Sequence, residues 1–200
     1  MALLTSYRRQ PSGLSLVIGL LLLVPFQYGA VPGTTSEKTS SADIASEYRI
    51  KAGFLLNFPQ FVDWPTGAFG NEKSAVIIGV LGDDPFGGYI DELVAGERVG
   101  GRPLVIRRFR SVREVATCHI LFISRSNGDA TAEVIAEMRT KSVLTVGEND
   151  SFERQGGMVR FFIENNRVRL RINNEAARNA GLVISSKLLR LAAPSQSRSN

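Results

Sequence analysis

The adjacent Cys118 and His119 are the only cysteine and the only histidine of the chain. A thiolate beside an imidazole could serve as a nucleophile with its base, and the same two groups could ligate zinc. They open a short apolar run, however, and adjacent residues of a β-strand point to opposite faces. We therefore expect two structural residues, with no catalytic pair, no metal site and no internal disulfide. A reactive thiol or an intermolecular bridge at Cys118 is the alternative.

A glycine-rich turn follows the apolar run at residues 75–81. Helix N-termini at such turns can hold phosphate or carboxylate, and ligands of open α/β sheets collect at the carboxyl ends of strands. The glycine spacing is neither a dinucleotide fingerprint nor a P-loop, and neighbouring aspartates would repel an anion. The turn is predicted to begin a helix and is kept as a candidate ligand loop, with Gly82, Asp83, Asp84, Phe86 and Gly87 as its residues.

Residues 158–173 alternate in polarity around Asn165 and Asn166, which predicts a β-hairpin with a two-residue turn. One face is apolar and the other is cationic. The cationic face sets Arg160 opposite Arg171, and opposed like charges repel unless an acid or anion lies near them. The candidate partner-binding residues are Arg160, Phe162, Arg169 and Arg171, and the predicted cross-strand pairs are Val159 with Ile172, Arg160 with Arg171, Phe161 with Leu170, Phe162 with Arg169, Ile163 with Val168, and Glu164 with Arg167.

The elements that must position these residues are short strands that alternate with helices. Strands in such an alternation pair in parallel, and the connections between them are right-handed crossovers. The predicted fold class is therefore α/β, with a mostly parallel sheet extended by the antiparallel C-terminal hairpin. Strands are predicted at residues 75–81, 104–109, 119–124, 143–146 and 182–184, and helices from Ser41 or Asp43 to Pro59, from Asp84 and Pro85 to Gly96, from Asn127 or Asp129, from Asn174, and at residues 186–191.

The N-terminal residues have the order of a secretory signal. Arg8 and Arg9 precede a 13-residue apolar run at residues 14–26, and small and polar residues follow. A membrane-spanning helix needs about 20 residues, so we predict a signal peptide at residues 1–33 that is removed on export to the periplasm. An uncleaved membrane anchor is the alternative. Residues 34–42 are predicted to form a flexible tether, 43–193 one folded domain and 194–200 a disordered tail.

Charge gives little indication of a partner. The formal net charge of +5 falls to +3 without Arg8 and Arg9, which is too mild to indicate nucleic acid. A basic cluster follows the second predicted strand, and it could be a solvated edge or a surface for an acidic partner. Its members are Arg107, Arg108, Arg110 and Arg113.

Several segments, taken in order, resemble the YfiR/HmsC-like family of periplasmic proteins. They are residues 48–65 with the terminal Trp64-Pro65, 78–86, 118–124, 143–146, Gly156-Gly157 and 172–192. The resemblance implies export, a Rossmann-like three-layer domain, frequent homodimers and a regulatory role. Its best-understood members repress a YfiN-like inner-membrane diguanylate cyclase through the periplasmic portion of that enzyme, which lowers cyclic-di-GMP and biofilm formation. The single Cys118 departs from disulfide-bearing members, so control through an internal disulfide is not carried over.

Three classes of function follow from these observations. The first is a periplasmic regulator that binds a membrane diguanylate cyclase, works without a cofactor and is not an enzyme. The second is a sensor module that holds a small periplasmic ligand. The third is an enzyme that uses Cys118 or His119.

Overall fold

The computed structural model describes residues 41–115 and 117–194, so the predicted signal peptide lies outside the described residues, as do residues 34–40 of the predicted tether and 195–200 of the predicted tail. Short 3-10 turns lie at Phe58–Gln60, Val112–Glu114 and Arg125–Ala130. The helices and strands are α1 (Ser41–Asn57), β1 (Val62–Asp63), β2 (Val76–Leu81), α2 (Gly88–Val94), β3 (Arg98–Val99), β4 (Arg102–Phe109), β5 (Ile120–Ile123), α3 (Thr131–Met138), β6 (Leu144–Gly147), β7 (Val159–Glu164), β8 (Arg167–Ile172), α4 (Asn174–Asn179), β9 (Val183–Ile184) and α5 (Ser186–Leu191).

Seven strands form the main sheet in the order β3-β4-β2-β5-β6-β7-β8. The five inner strands run parallel to one another, whereas the outer β3 and β8 are antiparallel to their neighbours. Every residue of β2, β5 and β6 is buried. Burial on both faces is the reason that these strands form continuous apolar runs in the sequence instead of alternating ones. The predicted α/β class with a mostly parallel sheet is confirmed.

Helices cover the sheet on both faces. Alternate residues of β5 enter two separate apolar clusters, with Phe122 in one and Leu121 in the other. The cluster that contains Phe122 also holds Leu55 of α1 and Ile90 of α2, both fully buried. The cluster that contains Leu121 is covered by α3, through residues that include Met138. The sheet therefore lies between a layer formed by α1 and α2 and a layer formed by α3.

The predicted hairpin is formed by β7 and β8, and its register is confirmed at all six pairs, from Val159 with Ile172 to Glu164 with Arg167. Asn165 has a φ of 50° and Asn166 a φ of 58°. These left-handed conformations are the ones that a two-residue hairpin turn requires. Because β7 also pairs in parallel with β6, the hairpin extends the main sheet at one side.

The helix after β2 starts later than predicted. Asp84 and Pro85 do not open it, because the Asp84 Oδ1 atom accepts the N–H of Phe86 at 2.7 Å and closes a turn there. Gly87 then adopts a φ of 56°, which no helical residue has, and α2 begins at the next residue. The prediction that this helix starts at Asp84 and Pro85 is wrong, whereas the prediction of a strand, a turn and a helix is confirmed.

The helix after β5 also starts later than predicted. Ser124 caps the 3-10 turn Arg125–Ala130 by accepting the N–H of Ser126, and Gly128 breaks the helical path with a φ of 47° and a ψ of −124°. α3 therefore begins after this turn and not at Asn127 or Asp129.

Two further corrections concern the ends of the domain. Asn173, not Asn174, caps α4, because its side chain accepts the Ala176 N–H at 3.0 Å. A second, two-stranded sheet, in which Val62 of β1 pairs with Ile184 of β9, ties the segment after α1 to the segment before α5. The sequence predicts β9 but neither β1 nor β3.

A buried aromatic ring explains two glycines at the end of the parallel sheet. Phe152 is fully buried, and a Cβ atom added to Gly147 or Gly157 would overlap its ring. The ring fills the space that side chains at these positions would need, so glycine is required here for packing.

We expect Gly157→Ala to lower the free energy of unfolding by about 1–3 kcal/mol, because the buried ring of Phe152 has to move. The matched control is Gly53→Ala inside α1, where nothing lies within 4 Å of the new Cβ and the better helix former should add about 0.5–1 kcal/mol. Urea unfolding measures both changes. An unchanged transition for Gly157→Ala would contradict this account of the packing.

Candidate functional site

The predicted ligand loop lies at the carboxyl end of β2, beside the loop that follows β5. Side chains of that second loop fill the crevice between them. Asn127 donates its Nδ2 hydrogen to the Leu81 carbonyl at 2.8 Å, and the Asp83 N–H donates to Ser126 Oγ at 2.8 Å. Gly82 has no Cβ to obstruct these two side chains, and any Cβ there would meet them. Polar groups of the chain itself therefore join the two loops at this end of the sheet.

The remaining residues of the predicted ligand loop are also engaged in the fold. The Asp84 carboxylate accepts a hydrogen bond from Arg108 Nε at 2.7 Å, and the Gly87 carbonyl accepts one from Arg108 Nη2 at 3.0 Å. Phe86 is buried and packs edge-to-face on Phe122, with ring centroids 4.9 Å apart. Arg108 of the basic cluster thus holds the turn together. Asp83 alone among the loop's acidic side chains is exposed.

Cys118 and His119 point away from each other, as expected for neighbours in an extended segment. The Cys118 thiol is buried in the apolar cluster beneath α3, and it donates to the Ile120 carbonyl at 2.7 Å. Burial raises its pKa to about 12, so the thiol stays protonated at neutral pH. A protonated, enclosed thiol is a poor nucleophile and a poor metal ligand.

His119 lies on the other face, at the amino ends of the strands. Its Nδ1 atom accepts the Ile77 N–H at 3.0 Å, and its Nε2 atom lies 3.3 Å from the Ala68 carbonyl. An acceptor at Nδ1 and a donor at Nε2 describe the neutral ring. The ring also stacks on Phe69, with centroids 4.3 Å apart. Burial lowers the pKa of His119, and the nearby Arg102 acts in the same direction.

A set of polar side chains that the sequence does not single out lies at the carboxyl ends of β5 and β6. Lys51 of α1 is 1% exposed and forms ion pairs with Glu47 and with Glu148, whose side chain is fully buried. Tyr48 donates to Glu148 Oε2 at 3.1 Å, and Arg125 Nε lies 3.6 Å from the same oxygen. We call these five residues the buried ion cluster.

The buried ion cluster joins α1 to the ends of two central strands. Two cationic and two anionic side chains take part, so its formal charge is balanced. Burial raises the pKa of Tyr48 to about 12, with the Glu148 carboxylate as the next cause. The sequence does contain a signal for it, since Lys51 interrupts the apolar face of α1 between Tyr48 and Leu55. Its partner Glu148 lies too far along the chain to be paired with it by pattern.

The predicted partner-binding residues lie together on the outer face of the hairpin but differ in exposure. Arg160 is 8% exposed and pairs with Asp150 and Glu153 of the turn that precedes β7. Asp150 and Glu153 are therefore the acids expected near the opposed arginines, and both pair with Arg160. Arg169 is exposed, and its Nε atom lies 3.6 Å from Glu164.

The other two members of this set are Phe162 and Arg171. The Arg171 guanidinium lies over the Phe162 ring at 4.3 Å, and that of Arg160 lies 5.8 Å from the same ring. The Nε atoms of both arginines are buried without a hydrogen-bond partner. The structure thus brings all four predicted partner-binding residues onto one face and makes Arg160 part of the fold.

The sequence profile described as YfiR/HmsC-like matches residues 48–193. The chain belongs to the YfiR/HmsC-like family. This family is periplasmic and regulatory rather than catalytic. No curated protein shows significant similarity to the chain.

The YfiR/HmsC-like match covers the hairpin and most of the buried ion cluster. Two further properties concern only residues 41–115 and 117–194. No helix there is long and apolar enough to cross a membrane. In the same part of the chain, no group of three or more His, Cys, Asp and Glu side chains could hold a metal ion.

The buried ion cluster of this YfiR/HmsC-like domain gives a stability prediction. Lys51→Met should lower the free energy of unfolding by about 3–5 kcal/mol, because Glu148 loses its buried cation and keeps only the longer contact with the exposed Arg125. Adding Glu148→Gln should recover most of the loss, since the neutral amide can still accept from Tyr48. The measurement is urea unfolding of the three proteins.

The matched control is Lys141→Met, which removes a lysine from an exposed pair with Glu137, 3.4 Å apart. An exposed pair of this kind is worth about 0.5 kcal/mol or less. If Lys51→Met and Lys141→Met had equal effects, the buried ion cluster would not be what secures α1.

His119 gives a pH prediction. Its folded-state pKa is below the ordinary value of 6.5, so the unfolded chain binds the proton more readily. The free energy of unfolding should therefore be highest above pH 6.5 and fall as the pH drops towards the folded-state pKa. Thermal unfolding of wild type and His119→Gln between about pH 7.5 and 5.5 tests this, with a shallower slope expected for the variant. Parallel slopes would contradict it.

Proposed function

We propose that this protein is a periplasmic repressor that binds the outer portion of a YfiN-like inner-membrane diguanylate cyclase. In the bound state the cyclase is held inactive, which lowers cyclic-di-GMP and biofilm formation. The observation that carries the proposal is the YfiR/HmsC-like match over residues 48–193. We further propose that the mature chain starts after a signal peptide at residues 1–33, has a Rossmann-like fold and acts as a homodimer.

The environments of the side chains that could take part in catalysis support a binding role. Cys118 is protonated and enclosed, and His119 is neutral and bonded on both ring nitrogens. Lys51 and Glu148, the most deeply buried charges, neutralise each other. These groups are used to hold the fold, so the residues left for function are those of the surface.

Deletion of the gene should raise cyclic-di-GMP, measured in cell extracts by mass spectrometry. The rise should disappear when the cognate membrane cyclase is also deleted, because a repressor without its target has nothing to restrain. The control is a version without residues 1–33 expressed in the cytoplasm, which should not restore repression. Unchanged cyclic-di-GMP in the deletion strain under several growth conditions would overturn the proposal.

A second candidate function is a sensor module for a small periplasmic ligand. It is favoured by a cavity of about 340 Å³ at the amino ends of the strands, lined by residues that include Ser74, Thr117 and His119. Pockets for small molecules are commonly about 300–1,000 Å³ in volume. The cavity lies at the amino ends of the strands, whereas the predicted ligand loop lies at the carboxyl end of β2. A ligand role for that loop stays a prediction. A molecule retained through purification and released on unfolding would favour the sensor.

A further inference from the structure

The outer face of the hairpin is a part of the sheet that α3 does not cover. We define it as the six outward side chains of β7 and β8, which are Arg160, Phe162, Glu164, Arg167, Arg169 and Arg171. The inward residues, such as Phe161 and Leu170, are buried in the main core. The apolar cluster beneath α3 includes no residue of β7 or β8. The hairpin therefore packs on the core with one face, and its outer face is at least partly exposed except at the buried Arg160.

Positive charge on this face exceeds the carboxylates that could neutralise it. Arg160 has Asp150 and Glu153, and Arg169 has Glu164. Arg167 and Arg171 have no carboxylate within ion-pair distance in residues 41–115 and 117–194. Two of the four arginines are thus available for an outside anion.

Arg171 is held in a geometry that suits recognition. Its guanidinium lies 4.3 Å above the Phe162 ring, and the side chain is only partly exposed. A guanidinium that is stacked on an aromatic ring loses little freedom on binding and can present its fork of N–H groups to a carboxylate. Arg171 also lies directly opposite Arg160. A carboxylate bound there would give Arg171 the acid that Asp150 and Glu153 already give Arg160.

We propose that the outer face of the hairpin docks an acidic segment of a protein partner, with Arg167 and Arg171 binding its carboxylates and Phe162 packing beneath it. The inference rests on the proposed function for the identity of that partner, the outer portion of the membrane cyclase. Arg167 and Arg171 lie four residues apart on one strand, which corresponds to about 13 Å. Carboxylates at that spacing on an extended segment match them.

The face suits a patterned protein segment better than a continuous anionic surface. Glu164 lies at the turn end of the hairpin, directly opposite Arg167, and Asp150 is an exposed carboxylate at the other end. A uniformly negative lipid surface would meet both of these acids, whereas a protein segment can place its charges away from them. The free edge of β8 is partly used, because Ala193 donates its N–H to the Leu170 carbonyl at 2.7 Å. The partner is therefore expected on the face of the hairpin and not as an added strand.

The binding test uses the mature chain labelled with ¹⁵N and two probes, poly-L-glutamate and phosphatidylglycerol vesicles. Poly-L-glutamate should shift the Nε–Hε signals of Arg167 and Arg171, and the double variant Arg167→Gln with Arg171→Gln should bind it about tenfold or more weakly. The matched control removes two exposed arginines outside both the hairpin and the basic cluster, Arg139→Gln with Arg178→Gln, and should bind within about twofold of wild type. The melting temperature of the first double variant should be unchanged or higher, since like-charge repulsion is removed.

Three results would overturn the inference. The first is an equal loss of binding in the control, which would mean a response to net charge alone. The second is tight binding of the vesicles with the same dependence on Arg167 and Arg171, which would identify a lipid surface. The third is an absence of signal shifts at the hairpin with poly-L-glutamate.

Measurements in cells distinguish this inference from the proposed function. If gene deletion raises cyclic-di-GMP and the Arg167→Gln, Arg171→Gln protein loses repression at a normal protein level, both are supported. If that variant represses fully, the docking surface is wrong and the proposed function stands. If deletion changes nothing but acidic-probe binding still requires both arginines, the docking surface stands and the proposed function fails.

Discussion

The ion pair between Lys51 and Glu148 is the contact on which the arrangement of this domain depends. The two residues are 97 positions apart, one in α1 and the other directly after β6. Apolar packing alone would let a helix rotate or slide on the sheet, but a buried charge is tolerated only where its partner meets it. This pair therefore selects one position for α1. Because α1 also packs on α2, that position sets the layer that covers one face of the sheet.

The same logic explains why polar side chains that suggest chemistry in the sequence have structural roles. Asp84 holds Arg108 and closes a turn, and His119 donates and accepts backbone hydrogen bonds. Arg160 receives its acids from the turn before β7. A buried polar group is costly unless it is bonded, so these buried side chains are bonded in ways that secure one arrangement of the chain. A regulatory domain of the YfiR/HmsC-like family can then present a stable surface without an exposed reactive group.

Sheet topology decides which surface is open. α3 shares an apolar cluster with residues of β2, β4 and β5, and the hairpin continues the sheet beyond that cover. Its outward side chains, apart from the buried Arg160, are at least partly exposed, and they are mostly arginines with one aromatic ring among them. Phe162 and the opposed arginines thus combine two properties that protein interfaces favour, an aromatic contact and planar cationic groups.

The sequence by itself determined the α/β class, the parallel central strands and the hairpin register, because each depends on local periodicity and on a turn that two asparagines can adopt. It also determined that Cys118 and His119 face apart. Tertiary structure alone decided that Lys51 meets Glu148 and that Asp150 pairs with Arg160. It also decided that Asn127, from the loop after β5, bonds to the end of β2 beside the predicted ligand loop. These contacts join segments far apart in the chain or depend on exact loop paths. No local pattern encodes them, since which buried charges meet is fixed only when the helices and strands pack.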